Sequence, residues 1–162
     1  MDYSVFERMG EPCYLLQKGE TNQQHLERIL RASFEDGPGS NPPRINDMMQ
    51  GTFVSCDVEK RTLTIRFHVA EWMRNPYDAL HGGMASTAID MTMGLLSRYY
   101  RQLRKVVTTN LNVNFMRGIP CGVDFEVCAT VDKLGERMIF TRAEMRRCDT
   151  GDVAVEAMAS FV

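Results

Sequence analysis

The segment HGGMASTAIDMTMGLLSRYYRQL, residues 81–103, constrains the fold more than any other stretch of the chain. It has no internal proline. Met84, Ala85, Ala88, Ile89, Met93, Leu95, Leu96, Tyr99 and Tyr100 spread over most of the circumference of a helix. A helix that is apolar almost all round has to be covered, because no orientation hides it at a surface. The prediction is one long buried helix over 81–103, with the rest of the chain supplying its cover.

The flanking sequence reads as that cover. Leu63, Ile65, Phe67 and Val69 alternate with Thr62, Thr64, Arg66 and His68, the period of a half-buried strand. An earlier strand is predicted near 48–57, joined to it by the polar turn Asp57 to Lys60. After the helix, Val107, Thr109, Leu111, Val113 and Phe115 alternate with Thr108, Asn110, Asn112, Asn114 and Met116. Val123, Phe125, Val127, Ala129 and Val131 repeat the pattern, another strand covers about 137–148, and the last covers about 152–162. The connections at 118–122, 133–135 and 149–152 are short, so these strands are antiparallel neighbours. An antiparallel sheet wrapped around one long helix is an α+β architecture. Ahead of it, TNQQHLERILRASF places Leu26, Ile29, Leu30 and Phe34 at helical spacing, with Thr21 or Asn22 as a cap. Residues 35–44 read as a loop. Roughly 35 residues are too few for a core of their own, so residues 1–162 are expected to form a single domain with 1–45 as a helical extension and loop.

Composition removes several function classes. The 162 residues are 44% hydrophobic and 25% charged, with a formal net charge of -2. There is no basic excess to neutralise phosphates, so neither nucleic acid nor an anionic membrane is expected as a partner. No run approaches the roughly 18 apolar residues of a membrane span, and the first 20 residues lack a secretory apolar core; a cytoplasmic location is expected. Cys13, Cys56, Cys121, Cys128 and Cys148 form no CxxC pair, and His25, His68 and His81 lie in three separate segments. Neither a disulfide framework nor a metal site is expected.

Residues 75–90 carry the chemistry. Gly82 and Gly83 open the helix, where a ligand can approach the backbone closely. The first N–H groups of a helix have no intrahelical partner and sit at the positive end of its dipole. Such a terminus holds an anion or polarises a carbonyl. Asp90 lies within the apolar helix, and a buried carboxylate is costly unless partnered. It is either a functional acid or a structural one bonded to a neighbouring hydroxyl such as Ser86. His81 and Asp90, nine positions apart, face opposite sides of an ideal helix at about 100° per residue. A small site that uses both would take them from two subunits. Gly94 either clears room for a ligand beside Asp90 or packs the helix on the sheet. Asn110, Asn112 and Asn114 line a polar tunnel, a subunit seam or a solvated sheet face.

Residues 75–90 resemble the hotdog-fold thioesterases, in particular the phenylacetate-pathway (PaaI-like) branch. That pattern is Asn or Gln, five residues, His-Gly-Gly, then an acid nine positions after the His. Here it is Asn75, His81-Gly82-Gly83 and Asp90, and the likeness continues through VVTTNLNVNFMRG to cover about 46–162. The resemblance implies a hotdog fold and hydrolysis of acyl-CoA thioesters, with coenzyme A as part of the substrate and no other cofactor. It implies Asp90 as general base or nucleophile, Gly82 as the N–H that polarises the thioester carbonyl, and Asn75 as the residue placing water or thioester. His81 would shape the carbonyl site, and the Thr108 hydroxyl would lie near the acid. It implies a homodimer at least, with a homotetramer expected; Asn75, His81 and Gly82 would come from one subunit, Asp90 and Thr108 from its mate. Gly83 and Gly94 are candidate substrate contacts, and Arg117, Lys133 and Arg137 either meet the phosphates of coenzyme A or are scattered surface charges. One position departs from the pattern: relatives carry Gly three residues before the His, and this chain has Asp78, which tolerates left-handed backbone angles better than most residues. Two other readings of the same fold are a non-catalytic acyl-CoA binder, which would need the groove but not Asp90, and a hydratase or dehydratase.

Overall fold

One long helix lies across a six-stranded antiparallel sheet. The computed structural model of the protein describes residues 17–35, 41–102 and 104–162. In chain order the elements are α1 (Asn22–Glu35), α2 (Ile45–Met49), β1 (Thr52–Asp57), β2 (Thr62–His68), a 3-10 turn (Glu71–Met73), α3 (Gly82–Tyr100), β3 (Thr108–Phe115), β4 (Asp124–Leu134), β5 (Ile139–Arg147) and β6 (Val153–Phe161). The sheet order is β1-β2-β4-β5-β6-β3. The strand that follows the helix therefore crosses to the far edge and pairs only with β6. No helix among the described residues is long and apolar enough to cross a membrane.

The alternating residues do as their period demands. Leu63, Ile65 and Phe67 of β2, Phe125, Val127 and Ala129 of β4, and Val155, Ala157 and Phe161 of β6 are buried together with Ala85, Ala88, Ile89, Met93 and Leu96 of α3. Phe67 and Phe125 stack with ring centroids 5.4 Å apart. Only this face of α3 is fully covered: Met84, Met91 and Leu95 are partly buried. The described residues thus leave an apolar stripe of the central helix half open.

Three boundaries differ from the sequence reading. Met48 and Met49 belong to α2, not to a strand starting near 48. The Asp47 carboxylate accepts from the Arg44 N–H at 2.8 Å, and the Met48 N–H donates to the Arg44 carbonyl. This local turn decides an apolar pair too short for its period to be read. α3 ends at Tyr100, short of the expected 103, where Arg101 caps it and Gln102 turns left-handed at φ 54. In β3 the register slips between Thr108, opposite Phe161, and Asn110, opposite Ser160. Thr109 is the extra residue of a bulge, which re-aims the side chain beside it. Thr108, not Thr109 as strict alternation implied, joins Leu111, Val113 and Phe115 on the helix side. The sequence readings of 1–16 and 36–40 fall outside the described residues.

α1 is part of the core. Leu26, Ile29 and Leu30 are at most 1% exposed. The Gln23 side chain donates to the Cys56 carbonyl and accepts from the Val58 N–H, both at 2.8 Å. His25 Nδ1 meets the Tyr99 hydroxyl at 2.8 Å. Arg28 pairs with Glu20 at 2.8 Å and holds its carboxyl down at about 2. Burial pushes the neighbouring Cys56 thiol up to about 11. Leu26→Ala should therefore lower unfolding free energy by about 2–5 kcal/mol in denaturant titration. A loss within about 0.5 kcal/mol, the range of surface changes, would show α1 to be peripheral.

Candidate active site

The site starts in the loop before α3. The Asn75 amide oxygen accepts from the N–H groups of Tyr77 at 2.9 Å and Ala79 at 3.2 Å, and the Asn75 N–H donates to the Ala79 carbonyl at 2.7 Å. These bonds close a tight turn around Asp78, whose φ of 56 is the left-handed conformation that glycine adopts freely. The Asp78 carboxylate pairs with Arg74 at 3.1 Å, and Arg74 also meets Glu71 at 3.2 Å. The added acid is thus matched by a guanidinium on the exposed side of the turn. The His81 N–H donates to the Met73 carbonyl at 2.8 Å and fixes where the helix begins.

His81 is the N-cap of α3, and its Nδ1 accepts from the Gly83 N–H at 2.9 Å. An amide N–H can only donate, so Nδ1 carries the lone pair and the neutral ring's proton sits on Nε2. The His81 carbonyl takes the N–H groups of Met84 and Ala85. Of the first four N–H groups of the helix, that of Gly82 alone has no partner among the described residues. A Cβ on Gly82 would lie 3.3 Å from Phe115 Cζ, so the glycine sits against that ring.

Asp90 is half-buried near the middle of α3. The Thr108 hydroxyl donates to its Oδ1 at 2.7 Å, from the position that the β3 bulge turned inward. The alternative partner, Ser86, donates to the Gly82 carbonyl at 2.9 Å and not to Asp90. No hydrogen bond to Asp90 Oδ2 occurs among the described residues. The acid is thereby oriented through one oxygen while the other stays open. Eight residues separate Gly82 from Asp90, about 12 Å along a helix axis. One carbonyl group in contact with both would need them within about 6 Å, two hydrogen-bond lengths. The Gly82 N–H and the Asp90 carboxylate of one chain are therefore too far apart to touch one carbonyl group.

The remaining candidates lie apart. Arg117 is at the Phe115 end of β3 and pairs with Asp152 at 3.6 Å. Arg137 is exposed on the β4–β5 hairpin at the opposite end of the sheet, where Arg101 binds its carbonyl. A Cβ on Gly94 would meet Phe161 Cε1 at 3.5 Å, ordinary contact distance. A Cβ on Gly83 would come within 3.1 Å of His81 Nδ1. Asn110, Asn112 and Asn114 are exposed on the outer sheet face. Trp72 is 45% exposed, and its neighbour Met73 fills the interior. The sequence reading missed Phe115 as a site residue; its place in an alternating strand was legible, but not that the ring ends beside Gly82. Gly94→Ala should fold with unchanged or slightly raised thermal stability, since helix propensity favours Ala by up to about 1 kcal/mol. Gly83→Ala should displace the cap and cost about 1 kcal/mol; equal behaviour of the two would contradict the cap.

The family profile described as Thioesterase superfamily matches residues 77–154, which hold Gly82, Asp90, Thr108 and Phe115. Acyl-coenzyme A thioesterase THEM4 of Bos taurus is 31% identical over 151 residues, 92% of this chain and 57% of that protein. The "Putative esterase PA0474" of Pseudomonas aeruginosa is 31% identical over 96 residues, 59% of this chain and 72% of that protein. The chain spans about half the length of the THEM4 relatives it matches, 46% and 57%. Among solved structures, zebra fish Thioesterase Superfamily Member 2 superposes with a TM-score of 0.68 at 22% identity, over 87% of this chain and 97% of that one. The E. coli PaaI protein does so with a TM-score of 0.64 at 16% identity, over 70% and 79%. These structures share the fold, a helix cradled by an antiparallel sheet. With the motif of residues 75–90 laid out on that fold, the chain belongs to the thioesterase superfamily, as a hotdog-fold member.

Proposed function

We propose that this protein is an acyl-CoA thioesterase, hydrolysing acyl-CoA to a free acid and coenzyme A at a site shared by two copies of the chain. The observation that carries this reading is the pairing of one unpartnered N–H, at Gly82 on the positive end of α3, with one carboxylate held by a hydroxyl and open at its second oxygen. The names of the THEM4 relatives point to the same substrate class.

The thioester carbonyl oxygen accepts the Gly82 N–H. Charge that builds on that oxygen meets a fixed donor and the helix dipole. The Nε2–H of His81 is a second donor at the same terminus, and the Asn75 side-chain N–H groups are left to hold water or substrate because its oxygen is occupied by the turn. The partner's Asp90 takes a proton from a water that attacks the carbonyl carbon, or attacks that carbon itself to form an anhydride that water then hydrolyses to the free acid. The thiolate of coenzyme A leaves, so the steps use no metal and no redox cofactor.

The edge strand supports the assembly. Among the described residues β3 offers an unpaired backbone edge, and Phe115 within it and Val107 and Met116 beside it are at least 49% exposed. Two-fold antiparallel pairing of β3 with its copy about the strand midpoint brings the Phe115 end of one chain beside the Thr108 end of the other. Gly82 then approaches the partner's Asp90, and the half-open stripe of Met84, Met91 and Leu95 gains a cover. Phe140 and Met158 stay exposed on the outer sheet face, which supports two dimers joining as a homotetramer. The free thiols Cys56, Cys121, Cys128 and Cys148 suit a reducing compartment such as the cytoplasm.

Two substitutions test the roles separately. Asp90→Asn should lower acyl-CoA hydrolysis by roughly 100-fold or more with folding intact. Gly82→Pro deletes the N–H at a helix position where proline is well tolerated, while Gly82→Ala adds a comparable Cβ contact and keeps the N–H. Hydrolysis by the Pro variant should fall roughly 100-fold or more below that of the Ala variant. Equal rates would remove Gly82 from the carbonyl site.

A further inference from the structure

We propose that Phe115 determines acyl specificity: its ring forms an apolar wall beside the Gly82 N–H and selects thioesters whose acyl group is uncharged and apolar next to the carbonyl. This rests on the thioesterase reading of the site and adds the substrate class to it.

Phe115 is an anomaly in its own strand. The bulge at Thr109 places Thr108, Leu111, Val113 and Phe115 on the helix side of β3. Leu111 and Val113 are half-buried there, yet Phe115 is 56% exposed. The residue opposite the ring is Gly82, which has no side chain to lay over it. The ring points its far end at that glycine: a Cβ there would lie 3.3 Å from Cζ, 3.5 Å from Cε1 and 3.8 Å from Cε2. An exposed aromatic ring thus touches the residue whose N–H is unpartnered.

A carbonyl oxygen that accepts this N–H lies about 2.9 Å from the nitrogen. The atoms attached to that carbonyl then fall within contact reach of the ring. The pantetheine arm on the sulfur side carries amides and a hydroxyl, for which a phenyl ring has no donor or acceptor. The acyl carbons need only apolar contact, and the ring supplies it. A carboxylated acyl group would lose water against the ring with no partner in exchange.

The test compares hexanoyl-CoA, phenylacetyl-CoA and succinyl-CoA as substrates of the wild type, Phe115→Ala and Phe115→Arg, full chain in each case. Phe115→Ala should lower kcat/KM for hexanoyl- and phenylacetyl-CoA by roughly 10- to 100-fold and leave succinyl-CoA nearly unchanged. Phe115→Arg should raise the succinyl to hexanoyl ratio above that of the wild type, a gain that misfolding cannot produce. Loss by one common factor for all three substrates with no change of ratio in Phe115→Arg, or no loss at all, overturns the proposal. If the wild type hydrolyses none of them, dissociation constants are measured for non-hydrolysable oxoalkyl thioether analogues of hexanoyl- and succinyl-CoA. Weakened binding of the hexanoyl analogue alone in Phe115→Ala then upholds Phe115 while sinking the thioesterase reading. Binding that ignores the substitution, or no binding of either analogue, sinks Phe115 as well.

Discussion

Everything else in this molecule follows from having to cover α3. A helix apolar over most of its circumference cannot face water, and one curved sheet covers only one side of it. Ala85, Ala88, Ile89, Met93 and Leu96 sink into the sheet, while Met84, Met91 and Leu95 stay half open.

In the proposed mechanism the rise of the helix sets the geometry. The donor sits at the first residue of α3 and the acid more than two turns later, too far apart for one thioester. Two devices adjust their fine positions. At the donor end, the His81 cap occupies the Gly83 N–H and leaves that of Gly82 free. At the acid end, the bulge at Thr109 turns the Thr108 hydroxyl to Asp90. An irregularity in the edge strand is worth its cost where it aims a side chain at a functional group.

Much of this was legible in the sequence because it rests on period and local chemistry. The α+β order, the long helix and the alternation of β2, β4, β5 and β6 come from spacing alone. So does the separation of His81 from Asp90. What was not legible depends on contacts between segments distant in sequence. The bulge shows only as a shift of register against β6, so alternation put Thr109 where Thr108 stands. The choice between Ser86 and Thr108 as the partner of Asp90 depends on that same shift. The short helix at 45–49 is set by the carboxylate of Asp47 reaching back to Arg44, a local bond that an apolar pattern does not carry. Asp78 lay on the legible side: its tolerance of the left-handed region is what the turn uses, at φ 56.

The central claim is that the donor and the acid of one active site come from two copies of the chain. Subunit mixing tests it most directly. Asp90→Asn and Gly82→Pro proteins, each depleted of hydrolysis as homodimers, are unfolded together and refolded, and thiol release from an acyl-CoA is measured once mass spectrometry shows mixed dimers. A mixed dimer joins the intact Gly82 of one subunit to the intact Asp90 of the other, so the account predicts recovered hydrolysis that neither variant shows alone. Mixed dimers no more active than the two homodimers would place donor and acid in the same chain and contradict it.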